Sequence, residues 1–228
     1  MTTRAFTDDE VRLLDAILLG HRRYRDRAFL WVSLGTGFRV SETLGLDWSQ
    51  VITPAGEISR SVTIERAHLK GGAGLRRKAV RSRRVPLNER VRAAIADYLV
   101  SLQAVPQGPV FRSRVGNGKP ITRMQAFRLV KGLAHEAGLD AERVGCHSAR
   151  KTFASQIYRA AKYDLLKAQR ILGHSSPLVT ARYLDTDRDE LDTLVLGLGQ
   201  ATVQVVATGM ALTGTSDRTA EGYVTHSL

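Results

Sequence analysis

The chain has 228 residues, of which 43% are hydrophobic and 25% charged, a globular composition that excludes a disordered chain. It is long enough for one ordinary domain or two small ones. Lys and Arg number 34 against 22 Asp and Glu, for a formal net charge of +12, which points to a polyanionic partner; the lone cysteine, Cys146, excludes an internal disulfide.

The opening residues MTTRAFTDDE contain no apolar run, so no signal peptide is expected. Thr7 and Glu10 have the spacing of a capping box, with Phe6 and Val11 as the hydrophobic staple around it, so a helix starts here. A second helix is predicted over residues 25–34, stopping at Gly35-Thr36-Gly37, and a third follows with Val40, Leu44 and Leu46 on its buried side. Between about residues 56 and 87 apolar and polar residues alternate, at Val62 and Ile64 and again in Arg84-Val85-Pro86-Leu87. This reads as a small antiparallel sheet with a long basic connection. Helix periodicity returns at residues 88–102, 123–137, 149–161 and 165–172, the last ending at Gly173. Ser176 then reads as an N-cap with Pro177 at N1, opening a helix that carries Tyr183. The expected fold class is α+β, mainly α-helical with one small antiparallel sheet.

The charge is concentrated. Residues 60–92 hold eleven basic side chains against two acids, Glu65 and Glu89. Such a run repels itself, and a nucleic acid relieves that repulsion. Arg76, Arg77, Lys78, Arg81, Arg83 and Arg84 are therefore the expected DNA-binding side chains. Residues 193–216 carry no charge but are rich in Thr, Gly and Gln, so no membrane span is expected there.

Three separated segments stand out: Gly35-Thr36-Gly37-Phe38-Arg39-Val40-Ser41-Glu42, His147-Ser148-Ala149-Arg150, and Leu172-Gly173-His174 followed by Tyr183. Together they resemble the tyrosine recombinase, or phage integrase, family. Thr36, Gly37, Arg39, Ser41, Glu42 and Leu46 are in step with its first arginine box. His147 and Arg150, followed by Thr152, Phe153 and Ala154, match its H-x-x-R box, and residues 172–176 match L-G-H-S-S. Tyr183 follows nine residues after His174, with Thr180 before it, and the resemblance covers about residues 7–192.

The resemblance implies a tyrosine recombinase catalytic fold and a site-specific recombinase that cleaves and rejoins DNA through a 3′-phosphotyrosyl intermediate. The chemistry explains the residue types. Attack on a phosphodiester builds charge on its non-bridging oxygens, and two arginines, Arg39 and Arg150, can clamp those oxygens in place of metal ions. No metal and no cofactor is expected, since the sequence has no HExxH, no cysteine pair and no acidic cluster. His174 would donate to the phosphate. His147, on the helical face of Arg150, has a pKa suited to taking the proton of the nucleophile, Tyr183. Covalent storage of the phosphodiester's energy makes ATP unnecessary.

The family also uses a hairpin lysine to protonate the departing 5′ oxygen. Lys70, in His68-Leu69-Lys70-Gly71-Gly72, is the preferred candidate, and Lys78, seven residues before Val85, the competing one. Glu42 is read evenly as a partner of Arg39 or a solvated helix residue, and Cys146 as a small packing residue.

The expected domains are 1–196, catalytic, and 197–228, a tail that packs on a neighbouring protomer or is disordered. The catalytic pattern begins within the first ten residues, so no separate core-binding domain is expected before it. Double-stranded DNA is the expected partner, bound by a homotetramer on two sites, with an accessory recombinase or DNA-bending protein as a further partner and no membrane. The expected location is cytoplasmic and nucleoid-associated. The alternatives are a type IB topoisomerase-like strand-passage enzyme and a catalytically silent or partner-dependent DNA-binding regulator.

Overall fold

A computed structural model describes residues 3–64, 82–104, 106–115, 118–174, 176–184 and 195–196. The chain divides into two compact units, Met1–Asp185 and Thr186–Leu228. In the second unit only Val195 and Leu196 are described, both helical and exposed. Lys70, Arg76, Arg77, Lys78, Arg81 and the expected tail, 197–228, lie outside the described residues. Among the described residues no helix is long and apolar enough to cross a membrane.

The first unit opens with α1, Asp8–Gly20, capped as its sequence predicts: Thr7 accepts from the Glu10 N–H, and the Glu10 carboxylate accepts from the Thr7 N–H. The extended stretch before it runs along the later part of the chain. Arg4 N–H donates to the Arg143 carbonyl at 2.8 Å, and Phe6 N–H donates to Thr152 Oγ1 at 2.8 Å.

Helix α2, Tyr24–Thr36, is the centre of the unit. Ala28 through Leu34 are all buried, so this helix has no solvated stripe and is covered on every side. It packs against α1, α5 (Glu89–Ser101) and α7 (Cys146–Ala160). Two short helices follow, α3, Val40–Leu44, and α4, Trp48–Val51. The second is absent from the expected elements, although Asp47 and Gln50 form a capping box around it.

The sheet has two antiparallel strands, β1, Ser61–Ile64, and β2, Arg83–Pro86, with Val62 opposite Val85 and Ile64 opposite Arg83. Val62, Ile64, Val85 and Leu87 turn into the core. Strand residues alternate faces, so Arg83 is on the same inward side as Val85, and Arg84 points out.

After α5 come α6, Arg123–Glu136, a 3₁₀ turn at Ala141–Arg143, α7, α8 (Leu165–Leu172) and α9 (Pro177–Ala181). Two expectations change. Helix α7 begins at Cys146 rather than 149, which puts His147 in its first turn; Gly145 N–H is closed by Ser148 Oγ at 3.1 Å, a cap that comes from inside the helix. Helix α9 ends at Ala181, so Tyr183 stands beyond it in a turn, its N–H donating to the Thr180 carbonyl at 2.9 Å.

Candidate active site

The site is assembled at three helix ends. The first is the junction of α2 and α3. Gly37 ends α2 in the left-handed region, at φ 60°, and an added Cβ would lie 2.2 Å from the Phe153 ring. Glycine is required here twice over, by backbone and by space. The turn frees the Gly37 carbonyl to face α7 and sends Arg39 to the N-cap of α3.

Arg39 is held from its own helix. The Glu42 carboxylate accepts the Arg39 backbone N–H at 2.9 Å with one oxygen and Arg39 Nη1 at 2.9 Å with the other. Glu42 is 1% exposed, so it is a buried partner of Arg39 and not a solvated helix residue. Arg39 itself stays partly open, with 26% of its side chain exposed. A fixed arm with an open guanidinium suits the capture of an anion.

The second helix end is the start of α7. Arg150, 1% exposed, reaches back between the other two ends. It donates to the Gly37 carbonyl through Nη1, and to the Leu172 carbonyl at 3.2 Å and His174 Nε2 at 2.6 Å through Nη2. Its Nε is buried without a hydrogen-bond partner among the described residues. Burial pushes its pKa down to about 10, with Arg39 acting in the same direction and Tyr183 and Glu42 against it. It remains a cation at neutral pH. A buried donor left open beside a second arginine is a site short of negative charge. His147 stands exposed at the rim of the site, its pKa lowered first by partial burial and then by Arg150, Arg39 and Lys151. Neutral imidazole is the form that accepts a proton.

The third is the end of α8. Gly173, at φ 64°, turns the chain so that His174 N–H returns to the Gln169 carbonyl at 3.1 Å, while Gln169 Nε2 donates to the His174 carbonyl at 3.0 Å. His174 is buried and its Nδ1 is 2.9 Å from Thr180 Oγ1. Burial first, then Arg150, Arg39 and Arg83, push its pKa down to about 4. The neutral ring accepts from Arg150 at Nε2, which makes Nδ1–H the donor to Thr180. A hydroxyl both donates and accepts, so Thr180 can support the opposite tautomer as well.

Tyr183 lies on these groups. Its ring stacks on His174 at 5.1 Å between centroids and 30° between planes. The Arg150 guanidinium is 5.2 Å from its ring centroid and the His147 ring 6.4 Å away. It also packs against the small cluster of Phe153, Ala154 and Leu172.

The two basic strand residues part company. Arg84 is exposed and donates to Ser61 Oγ at 2.8 Å, where it can also meet a polyanion. Arg83 does not sit on the outer surface expected of a DNA-binding side chain. The strand pleat turns it inward, its pKa lowered chiefly by burial, and it donates to the Leu172 carbonyl at 2.5 Å. Its parity with Val85 and Leu87 is the signal in the sequence that marks this position. Cys146 packs against the core as a half-buried thiol whose pKa burial raises. Among the described residues no three His, Cys, Asp or Glu side chains group as a metal site.

The sequence of residues 4–190 matches the model of the phage integrase family, and the chain belongs to that family of tyrosine recombinases. The probable integrase/recombinase YoeC of Bacillus subtilis (strain 168) is 37% identical over 112 residues, 49% of this chain and 59% of the relative. Tyrosine recombinase XerC of Xylella fastidiosa (strain 9a5c) is 31% identical over 163 residues, 72% of this chain and 49% of XerC. The chain thus spans about half the length of the curated relatives it matches. Among solved structures, XerA recombinase aligns with TM-score 0.67 at 22% identity, covering 86% of this chain and 64% of XerA. XerH recombinase in a post-cleavage complex with a palindromic difH substrate aligns with TM-score 0.63 at 22% identity, covering 84% and 51%. At that identity the likeness establishes the fold, the tyrosine recombinase catalytic domain, mostly helical with a two-stranded antiparallel sheet.

Proposed function

We propose that this chain is the catalytic part of a site-specific DNA recombinase that works through a covalent 3′-phosphotyrosyl intermediate. One observation carries the reading. Arg39, Arg150, His174 and Tyr183, from separate chain segments, converge with the tyrosine ring against both the buried arginine and the buried histidine. A nucleophile placed against an anion clamp is an arrangement for in-line attack on phosphorus.

In this mechanism Arg39 and Arg150 bind the non-bridging oxygens of the scissile phosphate and offset the charge that grows in the transition state. As the phosphate enters, Arg150 gives up part of its hold on His174, whose ring turns its proton to Nε2 and donates to the phosphate while Thr180 supports the new tautomer. Tyr183 Oη attacks phosphorus and passes its proton to His147. The bond to the 5′ oxygen breaks, and a hairpin lysine, Lys70 or else Lys78, protonates that oxygen. The phosphodiester becomes a phosphotyrosyl ester of equal bond count, so a 5′ hydroxyl from another strand reverses the step without ATP or a metal ion. The proposal takes attack to occur in cis, a reading supported by the contact of Tyr183 with its own chain's His174 and Arg150.

The proposal includes double-stranded DNA as substrate, gripped by the basic residues of the β1–β2 connection and by Arg84. It includes a homotetramer on two sites, acting in the cytoplasm at the nucleoid, with an accessory recombinase or DNA-bending protein as an added partner. It also keeps the division into a catalytic domain, 1–196, and a tail, 197–228.

The test is relaxation of a supercoiled plasmid carrying the gene's native flanking DNA, in EDTA, with SDS trapping of protein–DNA adducts. Wild type should relax the plasmid and form an adduct, and Tyr183→Phe should do neither. An adduct with Tyr183→Phe would remove Tyr183 from the mechanism; no adduct with wild type would favour the silent regulator. In the same assay Lys70→Ala should lose cleavage by about 100-fold while Lys78→Ala loses little, as expected for general acid catalysis. The reverse order would move the role to Lys78.

A further inference from the structure

Arg83 is a cation turned inward, 15% of its side chain exposed, that this mechanism does not use. Nη1 donates to the Leu172 carbonyl at 2.5 Å, the same oxygen that accepts from Arg150 Nη2 at 3.2 Å. Its Nη2 lies 3.5 Å from Glu42 Oε2, and Glu42 is the carboxylate that fixes Arg39. The guanidinium covers the Phe38 ring at 5.3 Å from the centroid. A Cβ added to Gly173, the residue before His174, would come within 3.0 Å of Arg83 Cδ and Nη1.

This placement is costly, and the cost is visible. Burial and the charge of Arg39 both lower the pKa of Arg83, and its Nε and Nη2 make no hydrogen bond among the described residues. A residue kept only to bind a polyanion has no need of such a position, since the neighbouring Arg84 achieves exposure one residue on. What the inward position gives is contact with the supports of three other groups. Through Glu42 it bears on Arg39, through the Leu172 carbonyl on Arg150, and through the last turn of α8 on His174. A cation at the carbonyl end of a helix is also favoured by the helix dipole. Arg83 is in addition the first residue of β2, directly after the basic connection that carries Lys70 and Lys78.

We propose that Arg83 is a positioning residue: by bridging Glu42 and the Leu172 carbonyl it sets Arg39 and the His174 turn in register. The proposal deepens the recombinase reading and rests on it for the catalytic consequence, although the placement of Arg83 is tested without it. The bridge combines one hydrogen bond, from Nη1 to the Leu172 carbonyl, with an ion pair at 3.5 Å between Nη2 and Glu42, a span that a single ammonium group does not cover.

The experiment has two arms. In the first, the His174 ring is titrated by 15N NMR in the DNA-free protein. Arg83→Met should raise the midpoint by about one unit or more, because the Arg83 charge is lost and water reaches the loosened turn. Arg83→Lys, which keeps the charge but not the bridge, should raise it as well; a Lys protein at the wild-type midpoint would reduce the effect to charge alone and overturn the bridge. In the second, adduct formation on the plasmid is timed. Arg83→Met should slow it about 100-fold, the loss expected when a clamp is displaced by an ångström, and Arg83→Lys should not rescue it. Plasmid affinity should keep the salt slope of wild type, since no phosphate contact is lost. A His174 midpoint that does not move, or an Arg83→Lys protein that cleaves within about threefold of wild type, would overturn the proposal. If Arg83→Met fails to fold, the Arg83→Lys rate decides. The titration needs no DNA, so it reports on Arg83 even where wild type forms no adduct, an outcome that would sink the recombinase reading alone.

Discussion

The two sides of the candidate site are built differently. On the clamp side, every group is fixed by more than one bond: Arg150 by Gly37, Leu172 and His174, Arg39 by both oxygens of Glu42, His174 by Thr180 and the Gln169 exchange. On the nucleophile side, Tyr183 follows a five-residue helix and is held by ring contacts and one backbone hydrogen bond. Electrostatic catalysis needs donors held in place before charge appears; the carbonyl and carboxylate bonds of the two arginines supply that, and the Arg150–His174 bond is the one exchanged when the phosphate enters. A nucleophile that must form a covalent bond, keep it and give it up again needs room. On the proposed mechanism, rigidity is placed where charge would develop and freedom where the covalent bond would be exchanged.

The sharpest way to break this contrast is at Arg150. Arg150→Lys keeps the charge but cannot span three acceptors at two helix ends, the Gly37 carbonyl after α2 and the Leu172 carbonyl and His174 ring at the end of α8. Adduct formation should fall by about 100- to 1000-fold, which is about 3–4 kcal/mol of transition-state stabilisation. Rates near wild type would show that charge alone, without the bonded geometry, is enough.

Gly37→Ala attacks the same side through the backbone. A Cβ at φ 60°, with the Phe153 ring 2.2 Å away, combines left-handed strain with overpacking. Urea denaturation should report a loss of about 3 kcal/mol. A loss below about 1 kcal/mol would mean that the α2–α3 turn and α7 give way readily, and that the clamp is less fixed than its hydrogen bonds imply.

The smallest expected effect is the pH dependence of stability. His174 has its folded pKa depressed to about 4 from 6.5, so the unfolded chain takes up the proton first as pH falls. The stability from its neutral form is complete above pH 6.5 and is lost progressively between about 6.5 and 4. The loss amounts to at most about 3 kcal/mol, and less if the turn relaxes around the charged ring. His174→Phe should remove the larger part of that slope in thermal melts followed against pH, His147, whose folded pKa is also lowered, supplying the remainder. A slope undiminished by the substitution would place the titrating group elsewhere.

Much of this is legible in the sequence because it is written in local chemistry. The capping box at Thr7, the glycine stop at 173 and the Ser176-Pro177 start all hold, while α2 runs two residues past its expected end at 34 and stops at the last glycine of the Gly35-Thr36-Gly37 turn. The four-residue α4 escapes detection despite its own capping box, since one turn carries too little periodicity to register. The start of α7 is hidden because Gly145 offers no side chain to cap with, and the oxygen comes from Ser148 inside the helix. Sequence alone leaves Glu42 open because burial is a property of what packs on a helix, and α3 is too short to show a buried face. Arg83 reads as one more outward arginine because a run of like charge hides strand parity, which Val85 and Leu87 alone reveal. That Arg83 and Arg150 meet at one carbonyl oxygen depends on a residue 89 positions from the first and 22 from the second, and no local pattern records such a meeting.

The extended residues ahead of α1 have a mechanical meaning. Arg4 and Phe6 are stitched to Arg143 and Thr152, on either side of the α7 start that carries His147 and Arg150, and the Arg4 guanidinium is locked to Glu10 at 2.5 Å. A load applied at the N-terminus is therefore shared between the arginine-bearing helix, through the Arg143 and Thr152 bonds, and α1, through Glu10. The extended segment acts as a tether, part of whose tension reaches the helix that carries Arg150.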